Sequence, residues 1–123
     1  MAAERPSLRL PQSMRLKHWR DFADIRRQGH RLAGGCLIAN WKTLPVGSVS
    51  RVGIITVRKL GSAVVRSRAR RLLRETFRTH QHHLQQPVAM VLVARSSIVS
   101  KSLPEVECDF LWAMRRAKLL KKP

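Results

Sequence analysis

Between Arg58 and Arg78 the chain reads Arg-Lys-Leu-Gly-Ser-Ala-Val-Val-Arg-Ser-Arg-Ala-Arg-Arg-Leu-Leu-Arg-Glu-Thr-Phe-Arg, eight cations against the single acid Glu75. A guanidinium bonds phosphate oxygens in pairs through its planar fork and stacks its flat face on bases, so the chemistry available here is phosphodiester recognition. On a helix that begins at Ala63 and turns about 100° per residue, Arg66, Arg68, Arg70, Arg71, Arg74 and Arg78 share one broad arc. Val65, Ala69, Leu72, Leu73, Thr76 and Phe77 share the opposite one, which predicts a packed face and an anion-facing face. Solvated helix faces usually mix signs so that neighbours relieve repulsion. Here only Glu75 does so, and a polyanion would supply the missing charge.

Groups able to break bonds are sparse. The sequence offers no paired carboxylates and no Ser or Cys nucleophile with an ordered His, so no catalytic residue is assigned. His18 and His30 stand alone in a basic chain, where histidines serve as RNA contacts or solvated residues more often than as an acid and base pair. His80, His82 and His83 invite a zinc reading, but neither Cys nor a second His pair stands at finger spacing. A polar helix end before Pro87 explains them more simply, and no metal site is expected. Cys36 and Cys108 belong to no metal-spaced cluster and read as reduced, small core residues.

The whole composition agrees with a polyanionic partner. Twenty-five Lys and Arg against seven Asp and Glu give a formal net charge of +18 in 123 residues. A long polyphosphate binds such a surface by releasing condensed counterions. Eighteen of the cations are Arg, which favours structured RNA over a membrane surface. The longest apolar run, Val88 to Ala94, has strand length and cannot span a bilayer. Met1 to Pro6 lacks the charged and then apolar pattern of a secretory signal, so a cytoplasmic location is expected. No protein partner is evident.

These residues need a scaffold, and the chain is long enough for one core and too short for two. Residues 1–12, with Pro6 and Pro11 and no apolar period, read as a flexible basic tail, residues 13–120 as one domain, and residues 121–123 as a second tail. Leu16, Trp19, Phe22 and Ile25 carry helical spacing, and Gly29 stands where a left-handed cap would end that helix. Cys36 to Lys42 alternates as a strand, Leu44 to Ser50 reads as a hairpin-type loop, and Arg51 to Val57 as the next strand. An extra short strand fits near Arg31 to Gly35. After the arginine helix, Val88 to Ala94 reads as the buried centre of a sheet. A last helix starts at Ser102, whose spacing to Glu105 makes a capping box, and runs to about Leu120. Leu103, Val106, Phe110, Ala113, Met114, Ala117 and Leu120 form its packing stripe, and Cys108, Trp112 and Leu119 a second, narrower one.

The stretch from Gly53 to Glu75 resembles the signature of the protein subunit of bacterial ribonuclease P: a strand, a lysine and glycine turn, then Ala-Val-x-Arg-Asn-Arg-x-Lys-Arg-x-x-Arg-Glu on a helix. Arg15-Leu16-Lys17 with Asp21-Phe22 and Gly29 is similar to that family's amino-terminal helix, and Val88 to Arg95 to its central strand. The similarity spans roughly Arg15 to Lys118. Departures are local. Ser67 stands where the family usually has Asn, Arg58 replaces the first lysine and Val57 the preceding Ser. Arg26 replaces the second residue of a Val-Phe pair, and Leu37 and Asn40 fill positions that are usually aromatic.

The resemblance implies an α+β fold, a two-layer α/β sandwich like the second domain of ribosomal protein S5, with a four-stranded sheet and a left-handed strand-helix-strand crossover. It implies no bond cleavage by the protein itself, because in the family a catalytic RNA with bound Mg²⁺ removes the 5′ leader of precursor tRNA. It assigns docking on that RNA to Arg58, Lys59, Arg66, Ser67, Arg68, Arg70, Arg71 and Arg74. It assigns a leader-binding cleft between the first helix and the sheet to Lys17, Phe22, Arg26, Arg27, Arg31 and Trp41. Phe22 lies equally on the apolar stripe with Leu16 and Ile25, and Trp41 alternates with Leu37 and Ala39, so core and stacking roles are both open for these two. A ribosomal or ribosome-assembly RNA-binding protein is the alternative that charge and size allow, and the RNA that copurifies separates the two.

Overall fold

The computed structural model describes residues 19–121. The expected tail over residues 1–12 lies outside the described residues, as do Leu16, Lys17, His18 and residues 122 and 123. Apolar alternation, turn residues and caps produce α1 (Trp19–Gln28), β1 (His30–Gly34), β2 (Leu37–Thr43), β3 (Arg51–Ile55), α2 (Ala63–His80), β4 (Val88–Ala94) and α3 (Leu103–Arg116). The chain is thus a mixed α+β fold with three helices and one four-stranded sheet of order β1-β2-β4-β3. β1 with β2 and β2 with β4 pair antiparallel, whereas β3 and β4, joined through α2, run parallel.

That order corrects the hairpin expected over Leu44 to Ser50. β4 lies between β2 and β3, so the loop passes over a strand instead of joining neighbours. Its placement follows from composition: Val88–Ala94 is buried along almost its whole length, and a strand apolar on both faces belongs in the middle of a sheet.

The two sheet faces carry different helices. Leu37, Ala39 and Trp41 of β2 and Val88, Met90, Leu92 and Ala94 of β4 join Leu73 and Phe77 of α2 and Phe110 and Met114 of α3 in the main core. Phe77 and Phe110 meet edge to face at 6.5 Å, tying α2 to α3. The alternate residues, Ala89 and Val91, pack with Ile25 of α1 in a smaller cluster, with half-buried Phe22, Leu44, Ile55 and Val93 around it. Side chains on a strand alternate faces, so α1 lies on the side opposite to α2 and α3.

Gly29 ends α1 for a reason other than the one expected. Its φ is not positive; the positive-φ glycines are Gly35, Gly47 and Gly61. A Cβ at Gly29 would lie 2.6 Å from the Ile25 carbonyl oxygen and closer still to that of Trp41, so the residue is small because the chain passes against β2 there. The last helix stops at Arg116, short of Leu120. Lys118 adopts φ 61°, with its N–H on the Arg115 carbonyl at 3.0 Å and that of Leu119 on the Met114 carbonyl at 2.9 Å. This is a Schellman cap with lysine where glycine is usual. Beyond it Leu120 bridges to Leu84 and the Lys121 N–H reaches the His83 carbonyl at 2.8 Å, so Lys121, expected in a tail, is held by the fold. Both other helix starts are capped from the sequence side: Ser62 Oγ accepts from the Val65 N–H at 3.3 Å, and Glu105 accepts from the Ser102 N–H at 3.1 Å and its hydroxyl at 2.9 Å.

Candidate nucleic-acid interface

The arginine-rich stretch begins where β3 ends. Arg58–Leu60 forms a single 3₁₀ turn whose Leu60 is buried, which leaves Arg58 and Lys59 exposed on its outer side. Gly61, at φ 149°, redirects the chain into α2, and the first turn of α2 holds no acid. The positive end of the helix dipole and the cations therefore add rather than cancel.

The two arcs on α2 separate as spacing requires. Ala69, Leu73, Thr76 and Phe77 are buried, while Arg68 and Arg71 are exposed and Arg66, Arg70, Arg74 and Arg78 half-buried. The half-buried arginines are not equivalent. Arg70 donates from Nη1 to Thr56 Oγ1 at 2.9 Å and from Nη2 to Ser67 Oγ at 3.1 Å, so Ser67 acts as an acceptor that aims Arg70. Arg68 donates from Nη2 to the Lys101 carbonyl at 2.7 Å and also faces the Val99 carbonyl, which fixes the loop before α3 against α2. Arg66 keeps a buried Nε with no hydrogen-bond partner. Arg78 is paired with Glu75, with Nε 3.0 Å from Oε2, and that pairing holds the Glu75 carboxyl below its usual range. Arg58, Lys59 and Arg71 make no hydrogen bond to another described residue, and so form the part of the surface most available to an external anion.

A second feature lies on the other side of the sheet. Arg26 of α1, Arg31 of β1, Ile38 and Asn40 of β2, Ile55 of β3 and Val91 and Val93 of β4 line a groove of about 420 Å³. Its floor is apolar except for Asn40 and its rim carries two exposed guanidinium groups, a combination that suits a flexible strand with bases inward and phosphates outward. A neighbouring hollow of about 370 Å³ is lined by Asp21, Lys42, Ser48 and Arg51 among others.

The structure sorts the cleft residues expected from sequence. Arg26 and Arg31 stand on the groove. Phe22 is half-buried against the cluster of Ile25, Ala89 and Val91, on the groove side of the sheet. Arg27 is exposed but engaged, with Nη2 2.9 Å from Asp24 Oδ1, and does not line the groove. Of the two roles open to Trp41 the structure supports the core one: it is 6% exposed and belongs to the main core, with its ring 5.5 Å from that of His30. It faces away from the groove because β2 alternates, and the same alternation puts Ile38 and Asn40 on the groove floor. Asn40, which stands where the related family usually has an aromatic residue, alternates with Leu37, Ala39 and Trp41 and so lies on the groove floor. It is 7% exposed, lines the groove, and its side chain makes no hydrogen bond to a described residue. Lys17 lies outside the described residues.

Among the described residues no group of three or more His, Cys, Asp or Glu could hold a metal ion. His80 instead places Nε2 2.6 Å from Glu107 Oε2 and Nδ1 3.2 Å from His83 Nδ1, linking the end of α2 to α3. Cys36 is buried as expected, and burial, then a hydrogen bond with Asp109, pushes its thiol up to about 12. Cys108 is exposed, which corrects its reading as a core residue.

The family model for ribonuclease P matches residues 10–118. The chain is 33% identical over 110 residues to the ribonuclease P protein component of Syntrophomonas wolfei, covering 89% of this chain and 92% of that one. It is 32% identical to that of Symbiobacterium thermophilum, covering 92% and 98%. The solved RNase P protein of Staphylococcus aureus superposes with a TM-score of 0.78 at 25% identity, covering 88% of this chain and 98% of that one. That of Thermotoga maritima gives 0.72 at 26% identity, covering 83% and 96%.

Proposed function

The chain belongs to the ribonuclease P protein family, and from that premise we propose that it is the protein subunit of a ribonucleoprotein that removes the 5′ leader of precursor tRNA in the cytoplasm. The surface around Arg58, Lys59, Arg66 and Arg71 docks on the catalytic RNA, with Arg68, Arg70 and Ser67 shaping it and Arg74 flanking it. The groove bounded by α1 and the sheet holds the single-stranded leader, with Arg26 and Arg31 on its phosphates and Phe22 beside its bases. The observation that carries this reading is the presence of two cationic surfaces on opposite sides of one sheet, which lets one small domain touch two RNA elements at once.

Hydrolysis belongs to the RNA partner. The described carboxylates do not fit a Mg²⁺ site: Asp24, Glu75, Glu105, Glu107 and Asp109 are each engaged by a neighbour, and Asp21 belongs to no group of three or more possible ligands. A hard divalent cation that keeps most of its waters is better held by RNA phosphates. The protein's contribution is binding energy: it raises affinity for the substrate that carries a leader and offsets phosphate repulsion between the two RNAs.

The test is reconstitution. Protein freed of nucleic acid leaves precursor tRNA intact, and addition of a cognate catalytic RNA with Mg²⁺ restores leader removal. Cleavage by the protein alone refutes the assignment, and copurification with ribosomal RNA alone favours a ribosome-associated role.

A further inference from the structure

Trp112 belongs to neither surface described so far. It sits on α3 and is 48% exposed, and among the described residues the other exposed large apolar side chains are valines on other elements or loops. Its ring edge rests on β1: a Cβ added at Gly34 would stand 3.2 Å from Cε3, so the glycine admits the indole and the strand backbone holds it in place. The Arg116 guanidinium carbon lies 5.8 Å from the ring centroid, in cation–π range. Cys108, Trp112, Arg115 and Arg116 occupy one exposed stripe of the helix, at successive steps of four, three and one.

Charge decides what this stripe suits. The three acids of α3 are all turned to internal work: Glu105 caps Ser102, Glu107 meets His80, and Asp109 accepts from the Cys36 N–H at 3.0 Å with Lys101 Nζ 3.7 Å away. Among the described residues, α3 therefore leaves no unengaged carboxylate to oppose a polyanion beside Arg115 and Arg116. A surface for a second copy would set further apolar side chains around the tryptophan, whereas its outward neighbours are cations and one cysteine.

We propose that Trp112, with Arg115 and Arg116, is a stacking site for an unpaired nucleotide of an RNA, separate from the groove. The indole receives the base, and the stacked guanidinium retains its N–H fork for the adjoining phosphate. This site lies on the α3 side of the sheet, so a nucleotide bound there is not one held in the groove.

The probe is a fluorescent single-stranded oligouridylate carrying 4-thiouridine, with affinity read by anisotropy and the photo-cross-linked peptide by mass spectrometry. Trp112→Leu keeps an apolar contact on Gly34 but no aromatic face, and is expected to weaken binding about tenfold, while Trp112→Phe stays within about threefold of the parent. The wild-type cross-link is expected on the peptide containing Trp112, and to persist when Arg26 and Arg31 are replaced. That persistence separates this site from the groove. Wild-type affinity in a Trp112→Leu protein with an unchanged melting temperature overturns the proposal, and so do cross-links confined to groove peptides. Conversion of a dimer to a monomer by Trp112→Leu, with RNA affinity unchanged, assigns the stripe to a second copy instead. Should that variant not fold, the wild-type cross-link map and Trp112→Phe decide the matter alone.

Discussion

Removing both guanidinium groups at the groove rim, Arg26→Ala with Arg31→Ala, isolates the leader contact. Both side chains are exposed and neither makes an ion pair with a described residue, since Asp24 is taken by Arg27. The fold therefore has little to lose, and the melting temperature should be unchanged. Each solvated phosphate contact contributes about 0.5–1 kcal/mol, so the pair contributes about 1–2 kcal/mol, or roughly 5- to 30-fold in affinity. Two fewer neutralised phosphates lower the slope of log affinity against log salt by about 1.4, taking about 0.7 per phosphate for a single strand. The assay compares binding of precursor and mature tRNA to the complex with catalytic RNA across a salt series, under conditions that block cleavage. Precursor affinity and slope fall, and mature tRNA affinity holds. A folded double variant that keeps the same precursor-to-mature ratio and the same slope refutes the groove as the leader site.

Trp41→Ala opens a hole in the main core and should cost about 3–5 kcal/mol in denaturant unfolding, while Phe22→Ala, which is half-buried, costs about half as much and weakens precursor binding; equal stability losses would contradict their different burial. Lys118→Gly relieves a left-handed lysine and should raise unfolding free energy by about 0.5–1 kcal/mol, and a loss of stability would show that the cap is not strained. Iodoacetamide near pH 8 should label Cys108 in the native protein and spare Cys36 until unfolding, because the Cys36 thiol stays protonated in the fold. By the same linkage, the stability that Cys36 contributes is complete below its ordinary value of 9.0 and is lost as pH rises from there toward about 12; labelling of both thiols at equal rates would contradict its burial.

Much of this fold is legible because local signals agree. Val88–Ala94 is recognisable as a central strand from its unbroken apolar run, and the start of α2 from Gly61 and Ser62, which turn and cap the chain. The two arcs of α2 follow from helical period alone. Strand order does not, because nothing between Thr43 and Arg51 records that β4, a segment more than thirty residues downstream, inserts between β2 and β3. Gly29 shows a related limit: a glycine after a helix suggests a left-handed cap, and only the approach of β2 reveals that the missing Cβ matters instead. Within the site, charge and spacing locate Arg26, Arg31 and the α2 cations, but not which arginines the fold employs. Arg68 and Arg70 bond partners 33 and 14 residues away, contacts that a helical projection does not contain. Trp41 follows the alternation of β2 into the core, and the same rule, applied to Asn40 and Ile38, would have identified the groove floor.

The most direct measurement places one photo-cross-linker on each side of the sheet. With Cys108 replaced by Ser, a reagent attached to a cysteine at position 38 on the groove floor, or at position 59 beside α2, is irradiated in the complex of protein, catalytic RNA and precursor tRNA. Position 38 is expected to cross-link to leader nucleotides, to lose that product when mature tRNA is used, and to leave the catalytic RNA unmarked. Position 59 is expected to mark the catalytic RNA with either substrate. Cross-links from position 38 to the catalytic RNA alone, or from position 59 to the leader alone, would contradict the division of the two surfaces.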